Sequence, residues 1–193
     1  MSVQKTTGLF FGTFNPIHIG HMAIANYIKS FANMDELWFI VSPQSPFKKH
    51  QTISDDRHRL EMVRQAIGNT PGYRASDVEF QMPTPSYTID TIVYLNEKHP
   101  RRKFSLIMGA DNLEQITKWK NYEELLKRCP IFVYPRPGHS VDVPAGANIT
   151  VVNAPLMEIS SSFIRKAVQE NREIPFFLPQ GVWEYIEKMN LYR

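Results

Sequence analysis

The run Gly12-Thr13-Phe14-Asn15-Pro16-Ile17-His18-Ile19-Gly20-His21 carries two imidazoles three residues apart. On a helical turn that spacing sets both rings on one side. Two such rings can donate hydrogen bonds to phosphate oxygens and stabilise charge that develops there in a transition state. Gly12 lets backbone come close to a ligand. A loop of this kind also delivers unpaired amides at a helix N-terminus, which suits an anion. The spacing is neither that of a Walker A loop nor GxGxxG. Metal ligation by the pair is the competing reading. Zinc asks for three or four protein ligands, and no third one stands nearby in the sequence.

A second run, Ile159-Ser160-Ser161-Ser162-Phe163-Ile164-Arg165, offers hydroxyls and amides together at the start of a helix. Arg165 follows one turn later with a planar fork that fits phosphate oxygens. Alone, this run reads better as an ordinary helix cap with a surface arginine. Beside the histidine loop, the phosphate reading is the stronger one.

These groups need a scaffold, and the hydrophobic pattern supplies it. Short apolar runs at residues 8–12, 37–41, 104–108, 131–134 and 149–152 alternate with amphipathic stretches, and a weaker strand falls near residues 73–77. That alternation predicts an α/β fold, a doubly wound parallel sheet of about five strands with a small C-terminal helical cap. Helical spacing links Ile24, Tyr27, Ile28 and Phe31, then Leu60, Val63 and Ile67, where Ser54 is the expected cap. It also links Ile89, Ile92 and Leu95, and it puts Trp119, Tyr122 and Leu126 on one helical face. Further helices are expected around Phe163–Val168 and Val182–Met189. In such sheets ligands sit at the carboxyl ends of the strands. No internal boundary is visible, so residues 1–193 read as a single domain.

The chain has 193 residues and 22.4 kDa, with 42% hydrophobic and 21% charged residues. Disorder, collagen and coiled coil are excluded by that composition. A net charge of +3 is too small for a duplex DNA binder and leaves room for a few cations gathered around a small anion. No nucleic-acid partner is expected. Cys129 is the lone cysteine, so no internal disulfide forms, and no apolar stretch nears the ~20 residues of a membrane helix. A cytoplasmic protein with no membrane partner is expected.

The two runs resemble the paired signatures of the HxGH nucleotidyltransferase superfamily, His18-Ile19-Gly20-His21 early and Ile159-Ser160-Ser161-Ser162 with Arg165 late. Three further stretches are similar to those of the nicotinate-nucleotide adenylyltransferase family within it. They are Ser86-Tyr87-Thr88-Ile89-Asp90-Thr91, Met108-Gly109-Ala110-Asp111-Asn112-Leu113 with Trp119 beyond, and Pro135-Arg136-Pro137-Gly138. Asn15 stands where many members have Asp, Ser162 where Thr is usual, and the Pro46-Phe47-Lys48-Lys49 loop departs from the common form.

The resemblance implies a Rossmann-like fold and adenylyl transfer from ATP to nicotinate mononucleotide, giving nicotinate adenine dinucleotide and pyrophosphate. It implies catalytic roles for His18, His21 and Arg165. It puts Gly12, Thr13, Phe14, Lys48, Lys49, Gly109, Asp111, Ser161 and Ser162 against ATP, with either lysine as the phosphate contact. It puts Tyr87, Thr88, Trp119 and Arg136 against the mononucleotide. For Trp119, stacking on the pyridine ring competes with a plain core position. Mg2+ is expected to arrive with ATP and no protein metal ligand is assigned. A homo-oligomer is compatible with the sequence. Pantetheine phosphate and nicotinamide mononucleotide are alternative acceptors. In a different class, a non-catalytic nucleotide sensor would keep the glycines and serines without needing both histidines.

Overall fold

In the computed structural model, residues 4–43 and 54–193 are described. Lys48 and Lys49 lie outside them. Six strands form one sheet: β1 (Lys5–Gly12), β2 (Glu36–Val41), β3 (Tyr73–Ser76), β4 (Arg102–Gly109), β5 (Ile131–Tyr134) and β6 (Ile149–Val151). The order is β3-β2-β1-β4-β5-β6 and every neighbouring pair is parallel. This is the doubly wound arrangement, and the weaker run near residues 73–77 supplies β3. The chain changes direction across the sheet between β1 and β4, whose register pairs Lys5 with Arg102 and Phe10 with Ile107. Such a switch point opens a crevice at the strand ends.

Helices cover both faces because successive strand side chains point to opposite sides. Phe10, Leu37, Phe39, Val41 and Ile107 pack under α1 (Ile19–Phe31), α2 (Asp56–Ile67), α6 (Ser161–Gln169) and α7 (Gln180–Lys188). Their neighbours Leu9, Trp38, Ile40, Leu106 and Met108 pack under α3 (Thr88–Lys98), α4 (Ala110–Leu113) and α5 (Tyr122–Arg128). The two C-terminal helices therefore close the same core as α1 and α2. Buried Cys129 belongs to the second layer, where burial pushes its thiol up to about 12. Among the described residues, no helix is long and apolar enough to cross a membrane.

Two local expectations are corrected. Asp55, not Ser54, caps α2, its carboxylate accepting from the Arg57 amide at 2.8 Å. Trp119, Tyr122 and Leu126 do not share one helix. Trp119 ends a short 3-10 turn, Ile116–Lys118, and Asn121 then takes a left-handed conformation at the start of α5. Asparagine tolerates that conformation where most residues do not, so the helical phase is broken between Trp119 and Tyr122.

Candidate active site

At the carboxyl ends of β1 and β4 lies a cavity of about 410 Å3. All the sequence-predicted site residues that fall among the described residues line it. From the β1–α1 loop come Gly12, Thr13, Phe14, His18 and His21; from the start of α3, Tyr87 and Thr88. Gly109 and Asp111 follow β4, Trp119 precedes α5, Arg136 follows β5, and Ser161, Ser162 and Arg165 open α6. Three helix N-termini, those of α1, α3 and α6, thus converge on one space, and each brings the positive end of its dipole. Lys118 and Lys120 also line the cavity.

The histidines sit at the helix entry. His18 is the extended N-cap of α1, and its ring lies over that of His21 with centroids 3.8 Å apart. The His21 Nδ1 accepts the His18 backbone N–H at 3.3 Å. In the neutral ring its proton is therefore on Nε2. Burial, followed by the positive charge of Arg136, holds His18 down at about 4. The His18 ring is therefore neutral near pH 7 and can act as a donor.

The loop is built from both ends of its sequence. Gly12 lines the cavity and also leaves room for a neighbouring ring. A Cβ there would meet the Phe14 ring at 2.8 Å. Phe14 itself is 2% exposed and packs edge-on against His21, Phe10 and Phe39. Its ring is packed in the core, and the residue lines the cavity. The start of α6 ties to the same loop. Ser161 donates its hydroxyl to Pro16 C=O at 2.9 Å, and Arg165 donates to Asn15 C=O at 2.8 Å. Ser160 caps α6 through the Phe163 amide. In this structure Ser161 fixes the loop, while the Arg165 fork reaches both Asn15 and Ser162.

Across the cavity, Arg136 Nε stands 3.5 Å from Asp111 Oδ1. Those two atoms and His18 Nδ1 are the buried side-chain polar atoms without a hydrogen-bond partner among the described residues. Buried polar atoms are normally satisfied, so a cluster of orphans at one cavity marks a place that a ligand or water completes.

The chain matches the cytidylyltransferase-like family model over residues 9–167. A Flavobacterium johnsoniae protein named "probable nicotinate-nucleotide adenylyltransferase" is 47% identical, covering 96% of this chain and 98% of its own. The chain belongs to the nicotinate-nucleotide adenylyltransferase family. A Cytophaga hutchinsonii member with the same name is 46% identical over 96% of this chain and 97% of its own. The nicotinic acid mononucleotide adenylyltransferase of Plasmodium falciparum, solved with NaAD, has the same fold. It superposes with a TM-score of 0.81 over 97% of each chain at 22% identity.

Within this adenylyltransferase fold, three buried polar residues have roles that sequence reading did not assign. Arg59 has a fully buried side chain. Its Nε donates to Ser54 C=O, Nη1 to the carbonyls of Thr13 and Ser42, and Nη2 to Pro43 C=O and the Asp56 carboxylate. All five guanidinium donors are used, joining the loops after β1 and β2 to the start of α2. Glu79, 2% exposed, accepts from the hydroxyls of Ser86 at 3.0 Å and Thr91 at 2.7 Å, on either side of the α3 N-cap Tyr87. Asn15 Oδ1 accepts from the Ser54 amide and the Tyr192 hydroxyl. Thr13 and Ser42 for Arg59, and Ser54 and Tyr192 for Asn15, are distant along the chain, and no local pattern announces them.

Proposed function

We propose that the chain transfers the adenylyl group of ATP to nicotinate mononucleotide. The 5′-phosphate oxygen of the mononucleotide attacks the α-phosphorus in line. A new P–O bond forms, the bond to the bridging α–β oxygen breaks, and pyrophosphate leaves with that electron pair. The nucleophile is already an anion, so no general base is needed. Catalysis is then positioning and charge stabilisation. His18 and His21 donate to the α- and β-phosphates, and Arg165 with the α6 N-terminus takes up triphosphate charge. Tyr87, Thr88 and Trp119 hold the pyridine end, and Arg136 meets the mononucleotide phosphate. Mg2+ enters as part of the ATP substrate, held by phosphate oxygens and water. Among the described residues, no group of three or more His, Cys, Asp or Glu side chains stands together as a metal cage.

The observation that carries this reading is the meeting of the histidine loop and the α6 serine–arginine turn on one cavity. They are joined by Ser161 to Pro16 and Arg165 to Asn15, 145 and 150 residues apart in sequence. A structural cap has no need of both. The test is incubation with Mg·ATP and each of nicotinate mononucleotide, nicotinamide mononucleotide and pantetheine phosphate. Pyrophosphate release with nicotinate adenine dinucleotide as the preferred product is expected. Absence of product from folded protein, or a clear preference for another acceptor, refutes the assignment.

A further inference from the structure

Six non-glycine residues among those described have left-handed backbone conformations. Four are asparagines, Asn33, Asn121, Asn171 and Asn190, which adopt it readily. The other two are aromatic: Phe14 with φ 45 and Tyr192 with φ 65. Bulky side chains keep such a backbone only where the surroundings impose it, and strain of this kind gathers at functional sites. These two residues sit near opposite ends of the chain, and they meet through Asn15. The Tyr192 hydroxyl donates to Asn15 Oδ1 at 2.9 Å, and Asn15 follows Phe14 directly. Asn15 is 3% exposed. Its side-chain oxygen also accepts the Ser54 amide at 3.2 Å, and its carbonyl accepts Arg165. Burial holds the Tyr192 phenol well above its ordinary range, so it stays a donor throughout the working pH range.

We propose that Tyr192 is a positioning residue for the reaction. Its hydroxyl, acting through the Asn15 side chain, fixes the Phe14-Asn15-Pro16 turn that presents His18 and His21 to the nucleotide phosphates. The C-terminal end of the chain is then a working part of the phosphate site. This rests on the adenylyl-transfer reading above. Ser161 and Arg165 hold the backbone carbonyls of this turn, and the Tyr192 hydroxyl adds a hold on its Asn15 side chain; displacements of an ångström cost in-line reactions heavily.

The test uses the full chain with Tyr192→Phe, which keeps the ring and removes the hydroxyl. The expected result is native circular dichroism, a kcat lowered about tenfold, an unchanged KM for nicotinate mononucleotide, and a severalfold weaker Kd for a non-hydrolysable ATP analogue. Asn15→Ala should lower kcat to a similar degree. Adding Tyr192→Phe to it should lower kcat no further, because the two act as one unit. Additive losses, or a Tyr192→Phe protein with a lower Tm but unchanged kcat and analogue affinity, mark a hydroxyl that only stabilises the fold and overturn the proposal. Asn15→Ala with unmodified kcat overturns it whether or not the tyrosine variant folds. If the unmodified chain makes no dinucleotide, the adenylyl-transfer reading fails by itself, and the affinity of Tyr192→Phe for the ATP analogue still decides the role of the hydroxyl.

Discussion

A histidine buried beside an arginine resists protonation, and His18 is held at about 4 by burial and by Arg136. Triphosphate oxygens placed against its ring would reverse the second effect and favour the imidazolium. Titration of the His18 ring by NMR should therefore give about 4 in the free protein and a clear rise toward its ordinary value with Mg·ATP. An unmoved titration would remove His18 from the phosphate contacts. Gly109 makes a second prediction at this scale. A Cβ on it would meet Asp111 Oδ1 at 2.3 Å and Arg136 Nε at 3.1 Å. Both obstacles are side-chain atoms and not backbone, so the backbone can stay while the carboxylate–guanidinium pair moves apart. Gly109→Ala should fold, lose less than about 1 kcal/mol of stability, and lose about tenfold in kcat/KM. Steady-state kinetics beside a denaturant melt separates the two effects; unchanged kinetics would take the pair out of substrate binding.

Elements carry the site through their ends, and α3 shows how. Its N-cap, Tyr87, has no side-chain cap hydrogen bond. Its start is fixed instead by Glu79, which grips Ser86 before the cap and Thr91 after it. Glu79→Gln leaves one acceptor oxygen where there were two, so one hydroxyl loses its charged partner. A stability cost of about 1–3 kcal/mol follows. The KM for nicotinate mononucleotide should rise with that for ATP unchanged, and a matching rise in both would point to a general loosening. The strands and most helices were legible because their burial has a period. Leu9 and Phe10, or Ile107 and Met108, alternate between the two layers, and Leu60, Val63 and Ile67 repeat along α2. Glu79 and Arg59 were not legible. A lone carboxylate or arginine beside an apolar stripe reads as surface, and its partners come from other loops. The Trp119 phase failed for a related reason. Spacings of three and seven fit a helix, yet the left-handed Asn121 interrupts it, and asparagine occurs too widely to announce that turn. The cavity-lining histidines and the serine–arginine turn were found because their chemistry is local to two short runs.

For the whole molecule, the same low-titrating groups set how folding responds to acid. His18 titrates at about 4 when folded and near 6.5 when unfolded. Between those values the unfolded chain holds the extra proton, so stability is complete above pH 6.5 and is lost as pH falls toward 4. At 5% exposure the loss is up to about 3 kcal/mol, a large share of the ~5–15 kcal/mol typical of a domain. His99 shifts the same way through burial and its neighbours Arg102, Arg74 and Lys98. Glu36 acts lower. Burial alone would raise it, but hydrogen bonds from Arg102, Trp38 and Lys5 hold it at about 2. Its contribution is present above its ordinary 4.5 and lost as pH falls to 2. Acid should therefore weaken the fold in two stages. Urea unfolding at pH 7, 5.5, 4.5 and 3 should show a first decline that His18→Asn makes shallower, leaving the part that belongs to His99. The decline below pH 4.5 should remain in that variant and shrink in Glu36→Gln. A His18→Asn curve parallel to the unmodified one from pH 7 to 4.5 would mean that His18 is charged freely in the folded state, and the neutral phosphate-site histidine would go with it.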